Sequence, residues 1–471
     1  MHFERESVFM MNNPNPISVY LTPGTRVHLV GIGGVSMCPL AEVLHGMGLQ
    51  VQGSDMTESD TVKHLRSVGI TVAIGHNAEN LGDCDLVIRT AAVHDGNPEI
   101  AGAVSRGIPV YERAQAWGAI MQHYPNALCV AGTHGKTTTT SMCTHIFMAA
   151  EADPTVMIGG TLPLLHSGYR VGQGDTIILE SCEYCNSFLS FFPTVAVILN
   201  VEEDHLDFFK NLQDIEHSFR KFAELVPSAG AVIVNADNEG AMDSVKGLDR
   251  PILTFGLDHP ADCTAANLTE DSNGHPEFDI MIHGQKYAHV TLSVYGHHNI
   301  LNALAASAAA WSLKLPSSAV EAGLAAFTGA GRRFERKGSY HGAEVYDDYA
   351  HHPDELHALI STCRELKNYK RLVVAFQPHT YTRTIKFFDN FVKELKQADV
   401  VILAEIFAAR EQNTTGISSS DLCRNIPGAV YCSTLDKVTD QLEQLVQPGD
   451  LVLTVGAGDI YRAGEKLLER A

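Results

Sequence analysis

The stretch Ala131-Gly132-Thr133-His134-Gly135-Lys136-Thr137-Thr138-Thr139 follows the apolar run Ala127-Leu128-Cys129-Val130. A strand that ends in a glycine-rich turn before Lys-Thr and a helix is a phosphate-binding arrangement, because small residues let successive N–H groups converge. In such a loop Lys136 contacts the β- and γ-phosphates and Thr137 contacts a magnesium ion. The standard pattern has a glycine where Val130 stands, so this loop is a shortened variant. The sequence therefore predicts a nucleotide site, with a plain strand-to-helix turn as the alternative.

Composition limits the class of protein. A chain of 471 residues, with 45% hydrophobic and 19% charged residues, is typical of a globular protein of roughly three domains. The formal net charge of −21 argues against nucleic acid or an anionic membrane as a partner. An acidic protein that binds phosphates must concentrate its positive charge locally, which draws attention to Lys136, Arg332, Arg333 and Arg383.

Several features predict a cytoplasmic protein. Residues Met1 to Ser18 carry Glu4, Arg5 and Glu6 and no long apolar stretch, so no signal peptide is expected. No run of about 18 apolar residues is present, so no membrane span is expected. The ten cysteines are scattered, which is typical of reduced thiols rather than of a disulfide framework.

Three strand–turn–helix openings organise the chain, beginning near Val27, at the phosphate loop and near Ala343. Short apolar runs alternate with helical patterns, which indicates a parallel α/β architecture throughout. The stretch from Asp262 to Val294 alternates polar and apolar residues around Asn273-Gly274 and predicts an inserted antiparallel hairpin.

The first opening carries Gly31-x-Gly33-Gly34-x-Ser36, with Asp55 further on. This resembles a dinucleotide fingerprint, although the third glycine is replaced by Ser36. Three interpretations stay open: a UDP-type ligand, which we favour, a nicotinamide cofactor, or a structural turn. If the ligand is of the UDP type, Asp55 bonds the nucleoside and Ser54 reaches ribose or phosphate.

Seven motifs occur in one order along nearly the whole chain. They are Gly31-Ile32-Gly33-Gly34, Gly132-Thr133-His134-Gly135-Lys136-Thr137-Thr138, Asn200-Val201-Glu202-Glu203-Asp204-His205-Leu206-Asp207, Gly296-His297-His298-Asn299 with Asn302, Gly331-Arg332-Arg333-Phe334-Glu335, Asp347-Asp348-Tyr349-Ala350-His351-His352-Pro353, and Phe376-Gln377-Pro378-His379. Together they resemble the Mur ligase family, whose members use ATP to join amino acids to UDP-N-acetylmuramic acid. The likeness is strongest to members that add L-alanine in peptidoglycan precursor synthesis.

The resemblance implies an α/β fold of three domains. These are a UDP-sugar-binding Rossmann-like domain (1–124), a central P-loop ATPase-type domain with a mostly parallel sheet (125–333) and a C-terminal Rossmann-like domain (334–471). It implies ATP and Mg²⁺ as cofactors, UDP-N-acetylmuramate and L-alanine as substrates, and a monomer or weak homodimer. The ATP-binding residues that it implies are Gly132, Thr133, His134, Gly135, Lys136, Thr137, Thr138, His298, Asn299 and Asn302. Those for the UDP-sugar are Gly31, Gly33, Gly34, Ser54, Asp55 and Tyr349.

The resemblance also implies the residues of the reaction centre. Thr137, Glu180 and His205 are the implied metal ligands, and both Glu180 and His205 follow apolar runs; a solvated glutamate and a structural histidine are the alternatives. The implied catalytic set is Lys136, Glu180, His205, Arg333, Asp348, His351 and Arg383. Asp348 or His351 orients or deprotonates the ammonium, Arg383 holds the amino-acid carboxylate, and Arg333 meets the phosphate; a surface pair with Arg332 is the alternative for Arg333.

Three rival functions remain at this stage. Enzymes of the same family that add a recycled tripeptide to the same UDP-sugar share most of the motifs. A nicotinamide-dependent oxidoreductase would explain Gly31-x-Gly33-Gly34 but leaves Lys136-Thr137 without a role. A regulator that binds nucleotide without turnover would not need Lys136, Glu180, His205 and Arg383 together.

Overall fold

The computed structural model describes residues 16–90, 92–206, 208–272, 274–366, 369–409 and 411–471. Three features named above lie outside the described residues. They are most of the N-terminal segment in which no signal peptide is expected (residues 1–15), Asp207 of the third motif, and Asn273 of the predicted turn. The chain divides into two compact units. The first contains the chain up to Thr264 with Met281–Gln285 and Leu304–Gly323, and the second contains Ala265–Ile280, Lys286–Ala303 and Leu324–Ala471. The domain boundaries given above stay a prediction.

The first unit begins with a five-stranded parallel sheet of order β3-β2-β1-β4-β5. Its elements are β1 (Arg26–Val30), α1 (Met37–Gly46), β2 (Gln50–Asp55), α2 (Asp60–Ser67), β3 (Thr71–Ile74), β4 (Leu86–Arg89), α3 (Pro98–Ser105), β5 (Val110–Glu112) and α4 (Arg113–Met121). Four of the five residues of β1 are buried, as expected for a parallel strand covered on both faces. The chain leaves β1 toward β2 on one side and later adds β4 on the other. The Gly31 turn therefore lies at a topological switch point, where α/β sheets bind ligands.

The central sheet of the first unit has the order β12-β11-β10-β6-β9-β7-β8. Its elements are β6 (Asn126–Ala131), α5 (Lys136–Ala149), β7 (Thr155–Leu162), β8 (Ser167–Arg170), β9 (Thr176–Glu180), β10 (Val195–Ile198), α6 (Leu212–Glu224), β11 (Ala231–Asn235), α7 (Glu239–Val245) and β12 (Ile252–Phe255). These strands are parallel except for the β7–β8 pair. Strand β6 lies between β9 and β10, so the phosphate loop is also at a switch point. The predicted mostly parallel sheet is confirmed.

Three consecutive strands follow in the order β15-β14-β13. They are β13 (Cys263–Glu270), β14 (Pro276–Ile282) and β15 (Gln285–Thr291), and two helices come next, α8 (His297–Ser312) and α9 (Ser317–Ala326). The predicted hairpin is thus extended by a third strand. This third strand, β15, follows the turn at Gly284, whose φ of +74° favours glycine.

The second unit contains a six-stranded sheet of order β16-β17-β21-β18-β19-β20, parallel except for the β16–β17 pair. Its elements are β16 (Glu335–Tyr340), β17 (Ala343–Asp348), α10 (Pro353–Glu365), β18 (Arg371–Phe376), α11 (Tyr381–Lys386), α12 (Phe388–Leu395), β19 (Val400–Ala404), α13 (Ser419–Arg424), β20 (Val430–Cys432), α14 (Leu435–Leu445), β21 (Asp450–Val455) and α15 (Tyr461–Glu469). The carboxyl ends of β17, β18 and β21 meet at one edge and bring Asp348 toward the loop that carries His379. Among the helices of the described ranges, none is both long and apolar enough to cross a membrane.

Candidate active site

The phosphate loop lies between β6 and α5 at the carboxyl edge of the central sheet. Gly132 (φ +151°) and Gly135 (φ +83°) have backbone conformations that L side chains rarely adopt. The first N–H groups of a helix such as α5 have no partner within the helix and are available to an anion. The segment after β10 braces the loop, because the Thr133 N–H donates to the Asn200 carbonyl (3.0 Å) and the His134 N–H donates to Asn200 Oδ1 (2.7 Å). These two bonds from Asn200 fix the shape of the loop.

Lys136 is held inside this loop by oxygen atoms. Its Nζ donates to the carbonyls of Gly132 (2.5 Å) and Thr133 (3.1 Å) and pairs with Glu183 Oε2 (3.1 Å). Only 15% of the side chain is exposed. Burial by itself lowers the pKa of Lys136, but the charges of Glu183 and Glu180 and the hydrogen bond to Glu183 together outweigh this effect, and the pKa is raised. Lys136 is therefore a fixed cation at the point where phosphate oxygens would lie.

Thr137 and Glu180 form the second contact of the loop. Thr137 Oγ1 donates to Glu180 Oε1 (3.0 Å), and Glu180 Oε2 accepts from the Gly159 N–H (2.6 Å). A hydroxyl and a carboxylate held side by side are the hard oxygen ligands that Mg²⁺ prefers. The donor set at this position fits a magnesium ion.

His205, the third predicted metal ligand, approaches the same cluster through carboxylates. Its Nε2 lies 3.7 Å from Glu183 Oε1 and 3.8 Å from Asp204 Oδ2. The backbone of His205 has a φ of +52°, which is uncommon outside glycine, and its ring packs against Tyr184 at 4.7 Å between centroids. Glu183 thus links His205 to Lys136. The structure brings Lys136, Thr137, Glu180 and His205 into one cluster.

The first glycine turn has a different set of neighbours. Gly31, Gly33 and Gly34 follow β1, and the Gly33 N–H donates to Asp55 Oδ2 (2.9 Å). The Ser54 carbonyl accepts from the Gly31 N–H (2.8 Å), so the end of β2 fixes the turn. The Ser54 side chain is fully buried and its hydroxyl donates inward, to Glu99 Oε2 (2.5 Å). Ser54 therefore supports the turn through its backbone, whereas Asp55 lies at the turn itself.

Glu99 is a buried carboxylate beneath this turn, and the sequence analysis did not identify it. Besides Ser54, it accepts from Asn80 Nδ2 (2.6 Å) and lies 3.3 Å from both His28 Nε2 and His76 Nδ1. Burial raises its pKa, but the hydrogen bonds from His28, Ser54 and Asn80 outweigh this effect and the pKa falls to about 2. The carboxylate therefore stays ionised and ties β1, β2 and α3 together.

Asp348, at the carboxyl end of β17, is the central residue of a cluster in the second unit. Its Oδ2 accepts from the Phe334 N–H and its Oδ1 accepts from the Ala350 N–H, both at 2.7 Å. Burial raises the pKa of Asp348 to about 6, against the opposing charge of Arg333. A carboxylate poised near neutral pH is typical of a functional position.

Arg333, Tyr349 and His351 lie around Asp348. The Arg333 guanidinium is 5.2 Å from the centre of the Tyr349 ring, and the His351 ring is 5.4 Å from it. Arg332, the other arginine of this motif, donates to Asp347 (2.8 Å) and to the carbonyls of Gly456 and Gly458. Arg332 is thus committed to the fold, which leaves Arg333 as the arginine for a ligand.

His379 and Arg383 extend this cluster along the edge of the sheet. The His351 and His379 rings lie 5.7 Å apart, and Arg383 Nη1 is 3.3 Å from His379 Nδ1. Between these two residues Thr380 has φ +66° and ψ +146°, a conformation that is strained for any residue except glycine. Strained backbone of this kind is concentrated at ligand-binding sites. The second unit therefore gathers Arg333, Asp348, Tyr349, His351 and Arg383.

The predicted adenine-contacting residues open α8. Asn299 Nδ2 donates to the Tyr295 carbonyl (2.7 Å), and Asn302 Nδ2 donates to Asn299 Oδ1 (3.2 Å), while His298 is exposed. Asn299 thus bonds the backbone just before the start of α8. A contact of these residues with adenine stays a prediction.

Glu183 is the main residue of the first cluster that the sequence analysis left without a role. It follows Glu180 by three residues in the sequence. A carboxylate so close to a strand end that already carries Glu180 was a usable signal. The loop after β9 turns it back onto Lys136.

Three family models match consecutive parts of the chain. The Mur ligase family catalytic domain matches residues 26–125, the Mur ligase middle domain matches 130–310, and the Mur ligase glutamate ligase domain matches 332–458. The chain is 45% identical to the UDP-N-acetylmuramate–L-alanine ligase of Clostridium novyi over 448 residues, which cover 94% of this chain and 97% of the relative. It is also 45% identical to the enzyme of that name from Agathobacter rectalis, with 94% and 98% covered.

Two solved structures of similar proteins superimpose on nearly the whole chain. The UDP-N-acetylmuramate–alanine ligase of Thermotoga maritima superimposes with a TM-score of 0.78 at 31% identity, covering 94% of this chain and 98% of that one. A murein peptide ligase of Psychrobacter arcticus superimposes with a TM-score of 0.69 at 25% identity, covering 95% and 98%. The chain therefore has a three-domain α/β fold and belongs to the Mur ligase family.

Proposed function

We propose that this protein is an ATP- and Mg²⁺-dependent ligase that joins L-alanine to the lactyl carboxylate of UDP-N-acetylmuramate. The observation that carries the proposal is the phosphate loop, in which Lys136 pairs with Glu183 and Thr137 bonds Glu180. These contacts suit phosphoryl transfer, whereas hydride transfer would give them no role. The names of the relatives that are 45% identical over 94% of the chain support the choice of substrates.

The first half-reaction activates the carboxylate. A carboxylate is a poor electrophile, so the γ-phosphoryl group of ATP is transferred to the lactyl oxygen and an acyl phosphate forms with release of ADP. Lys136 binds the phosphoryl oxygens, and Thr137 and Glu180, with His205 beside them, would hold the metal. Bound there, magnesium would neutralise charge on the phosphate oxygens. His298, Asn299 and Asn302 contact the adenine.

The second half-reaction forms the amide. The alanine amine attacks the acyl carbon and inorganic phosphate leaves. Arg383 holds the alanine carboxylate, which suits a bidentate guanidinium, and Asp348 or His351 orients the ammonium or accepts its proton. Arg333 stabilises the acyl phosphate, and Tyr349 contacts the UDP-sugar. Gly31, Gly33, Gly34 and Asp55 hold the UDP moiety, with Ser54 behind them.

The protein acts in the cytoplasm as a monomer or weak homodimer, without nucleic acid or membrane as a partner. Its functional domains are 1–124 for the UDP-sugar, 125–333 for ATP and 334–471 for the incoming amino acid.

The test is an incubation of the purified protein with ATP, Mg²⁺ and UDP-N-acetylmuramate, with either L-alanine or the murein tripeptide added. The expected result is phosphate release and a UDP-N-acetylmuramoyl-L-alanine product by mass spectrometry in the L-alanine reaction. Product with the tripeptide alone would contradict the choice of amino acid. NADH binding without binding of UDP-sugars would favour an oxidoreductase instead.

A further inference from the structure

Arg113 is a desolvated cation beside the first glycine turn. It is the first residue of α4, and its Nη1 donates to the hydroxyl of Ser36 (2.5 Å), the residue directly before α1. Among the residues that the structure describes, it forms no ion pair with a carboxylate. Burial lowers the pKa of the Arg113 guanidinium, which records the free-energy cost of removing water from this charge.

Two other arginines of this sheet, the half-buried Arg89 and the exposed Arg26, are paired with carboxylates. Arg89 bonds Glu112 (2.7 Å) and Asp95, and Arg26 bonds Asp85 (2.8 Å). A cation whose partner is a neutral hydroxyl costs free energy that the fold does not recover. Such an arrangement is understandable where an anionic ligand completes the pair.

The position of Arg113 is fixed by its own helix. One turn further along α4, Trp117 is fully buried and its Nε1 donates to the Ser36 carbonyl (3.4 Å). Two residues of α4 thus hold the start of α1 through the same serine. On the other side, Ser36 Oγ lies 2.9 Å from Met157 Sδ of β7, in the central sheet of the same unit. The guanidinium therefore lies beside the turn from Gly31 to Ser36.

We infer that Arg113 is a further substrate-binding residue, whose guanidinium binds the diphosphate of the UDP-sugar beside the N-terminus of α1. The inference rests on the proposed function, which places a UDP-sugar at this turn. The glycine turn and the helix supply N–H groups and partial positive charge, but its own sequence from Gly31 to Ser36 holds no cation. Arg113 supplies the full charge from another helix, with a planar group that suits two phosphate oxygens.

The test compares Arg113→Met and Arg113→Lys with Arg106→Met. Arg106 is exposed in the same sheet region and its guanidinium bonds the Gly82 and Ala78 carbonyls, so it is a matched control. Calorimetric titrations use uridine, UDP, UDP-N-acetylglucosamine and UDP-N-acetylmuramate. We expect Arg113→Met to weaken binding of UDP and both UDP-sugars by about 10- to 100-fold, with uridine unchanged. Arg113→Lys should lose less, and Arg106→Met should match the wild type.

Two outcomes would overturn the inference. Unchanged UDP affinity in Arg113→Met means that the guanidinium does not bind the diphosphate. Weaker binding of UDP-N-acetylmuramate alone assigns it to the lactyl carboxylate, which UDP-N-acetylglucosamine lacks. Binding of a non-hydrolysable ATP analogue at wild-type affinity shows that the variant is folded. A wild-type protein that binds UDP but makes no amide contradicts the proposed function and leaves the Arg113 result standing.

Discussion

The two glycine turns of the first unit share one backbone design and differ in what surrounds it. Each follows a parallel strand at a switch point and precedes a helix. The turn before α5 contains its own cation, Lys136, which pairs with Glu183 at 3.1 Å. The turn before α1 has no cation in its own sequence. Two charged residues contact it: Asp55, which accepts from the Gly33 N–H, and Arg113, which bonds Ser36 from 77 positions further along the chain.

The difference shows how the same local backbone motif can serve two different functions. A lysine, a hydroxyl and carboxylates at the α5 turn can bind a triphosphate with its metal and stabilise a phosphoryl group in transfer. A carboxylate at the α1 turn can instead accept hydrogen bonds from a nucleoside, with no group there to drive phosphoryl chemistry. We therefore expect the turn before α1 to bind a nucleotide without catalysing any reaction of it, and the turn before α5 to carry out phosphoryl transfer. The following changes test this difference.

The largest effect is expected for Lys136→Ala. Loss of the cation at the transferring phosphoryl group should reduce the ligase rate by at least about 100-fold, while UDP binding at the first turn stays at the wild-type level. Steady-state rates and a UDP titration measure both effects. Lys63→Ala is the control, because Lys63 is an exposed lysine of α2 that pairs with Asp60 (3.0 Å). Near-normal turnover of Lys136→Ala would refute its role.

Glu99→Ala should damage the first turn selectively. The change leaves the buried His28 and Ser54 side chains and the half-buried Asn80 side chain without their acceptor, and we expect a loss of about 3 kcal/mol in the free energy of unfolding. The folded-state pKa of about 2 lies below the ordinary value of 4.5, so the wild-type contribution is present at neutral pH and is lost as pH falls from 4.5 toward 2. Denaturant unfolding at pH 7 and pH 3 measures this. An equal loss at both pH values would contradict the account.

Acid pH should impair the function of the Asp348 cluster and leave ligand binding at the two glycine turns unaffected. Because the pKa of Asp348 is about 6, its carboxylate becomes protonated below that pH, while the raised pKa of Lys136 keeps the lysine charged. We expect kcat/KM for L-alanine to fall about tenfold per pH unit below 6. Binding of an ATP analogue serves as the comparison and should not follow that slope. A pH profile for alanine that is flat between pH 5 and 7 would remove Asp348 from the amine step.

A smaller effect is expected for Glu411→Gln. Glu411 accepts from the Tyr381 and Thr382 N–H groups at the start of α11, which carries Arg383. Weakening this charged contact should let Arg383 move and raise the KM for L-alanine by about threefold, with the KM values for ATP and the UDP-sugar unchanged. Glu365→Gln, a change outside these contacts, is the control. An equal rise in all three KM values would indicate a general loss of structure instead.

The sequence was sufficient for the parts of the fold that depend on local pattern. The helices after Gly31-x-Gly33-Gly34 and after Gly135, the strand end at Glu180 and the strand that begins at Ala343 are where the apolar runs and glycines predicted them. Each of these predictions needs only a few neighbouring residues, since turn conformation and apolar periodicity are local properties.

The partners of those residues could not be predicted in the same way. Glu183 reaches Lys136 because the loop after β9 turns back, and Arg113 reaches Ser36 because α4 packs against the start of α1. From the sequence alone Glu99 is a polar residue on a helix, whereas in the structure it is a buried hydrogen-bond acceptor. Such contacts depend on tertiary packing, which brings together positions that carry no shared local pattern.

The central claim is that the phosphate loop activates a carboxylate as an acyl phosphate. The direct measurement uses UDP-N-acetylmuramate labelled with ¹⁸O in its lactyl carboxylate, with ATP, Mg²⁺ and L-alanine, followed by mass spectrometry of the inorganic phosphate. We predict one ¹⁸O atom in each phosphate released, and no labelled phosphate with Lys136→Ala. Phosphate without ¹⁸O during normal amide formation would contradict the account.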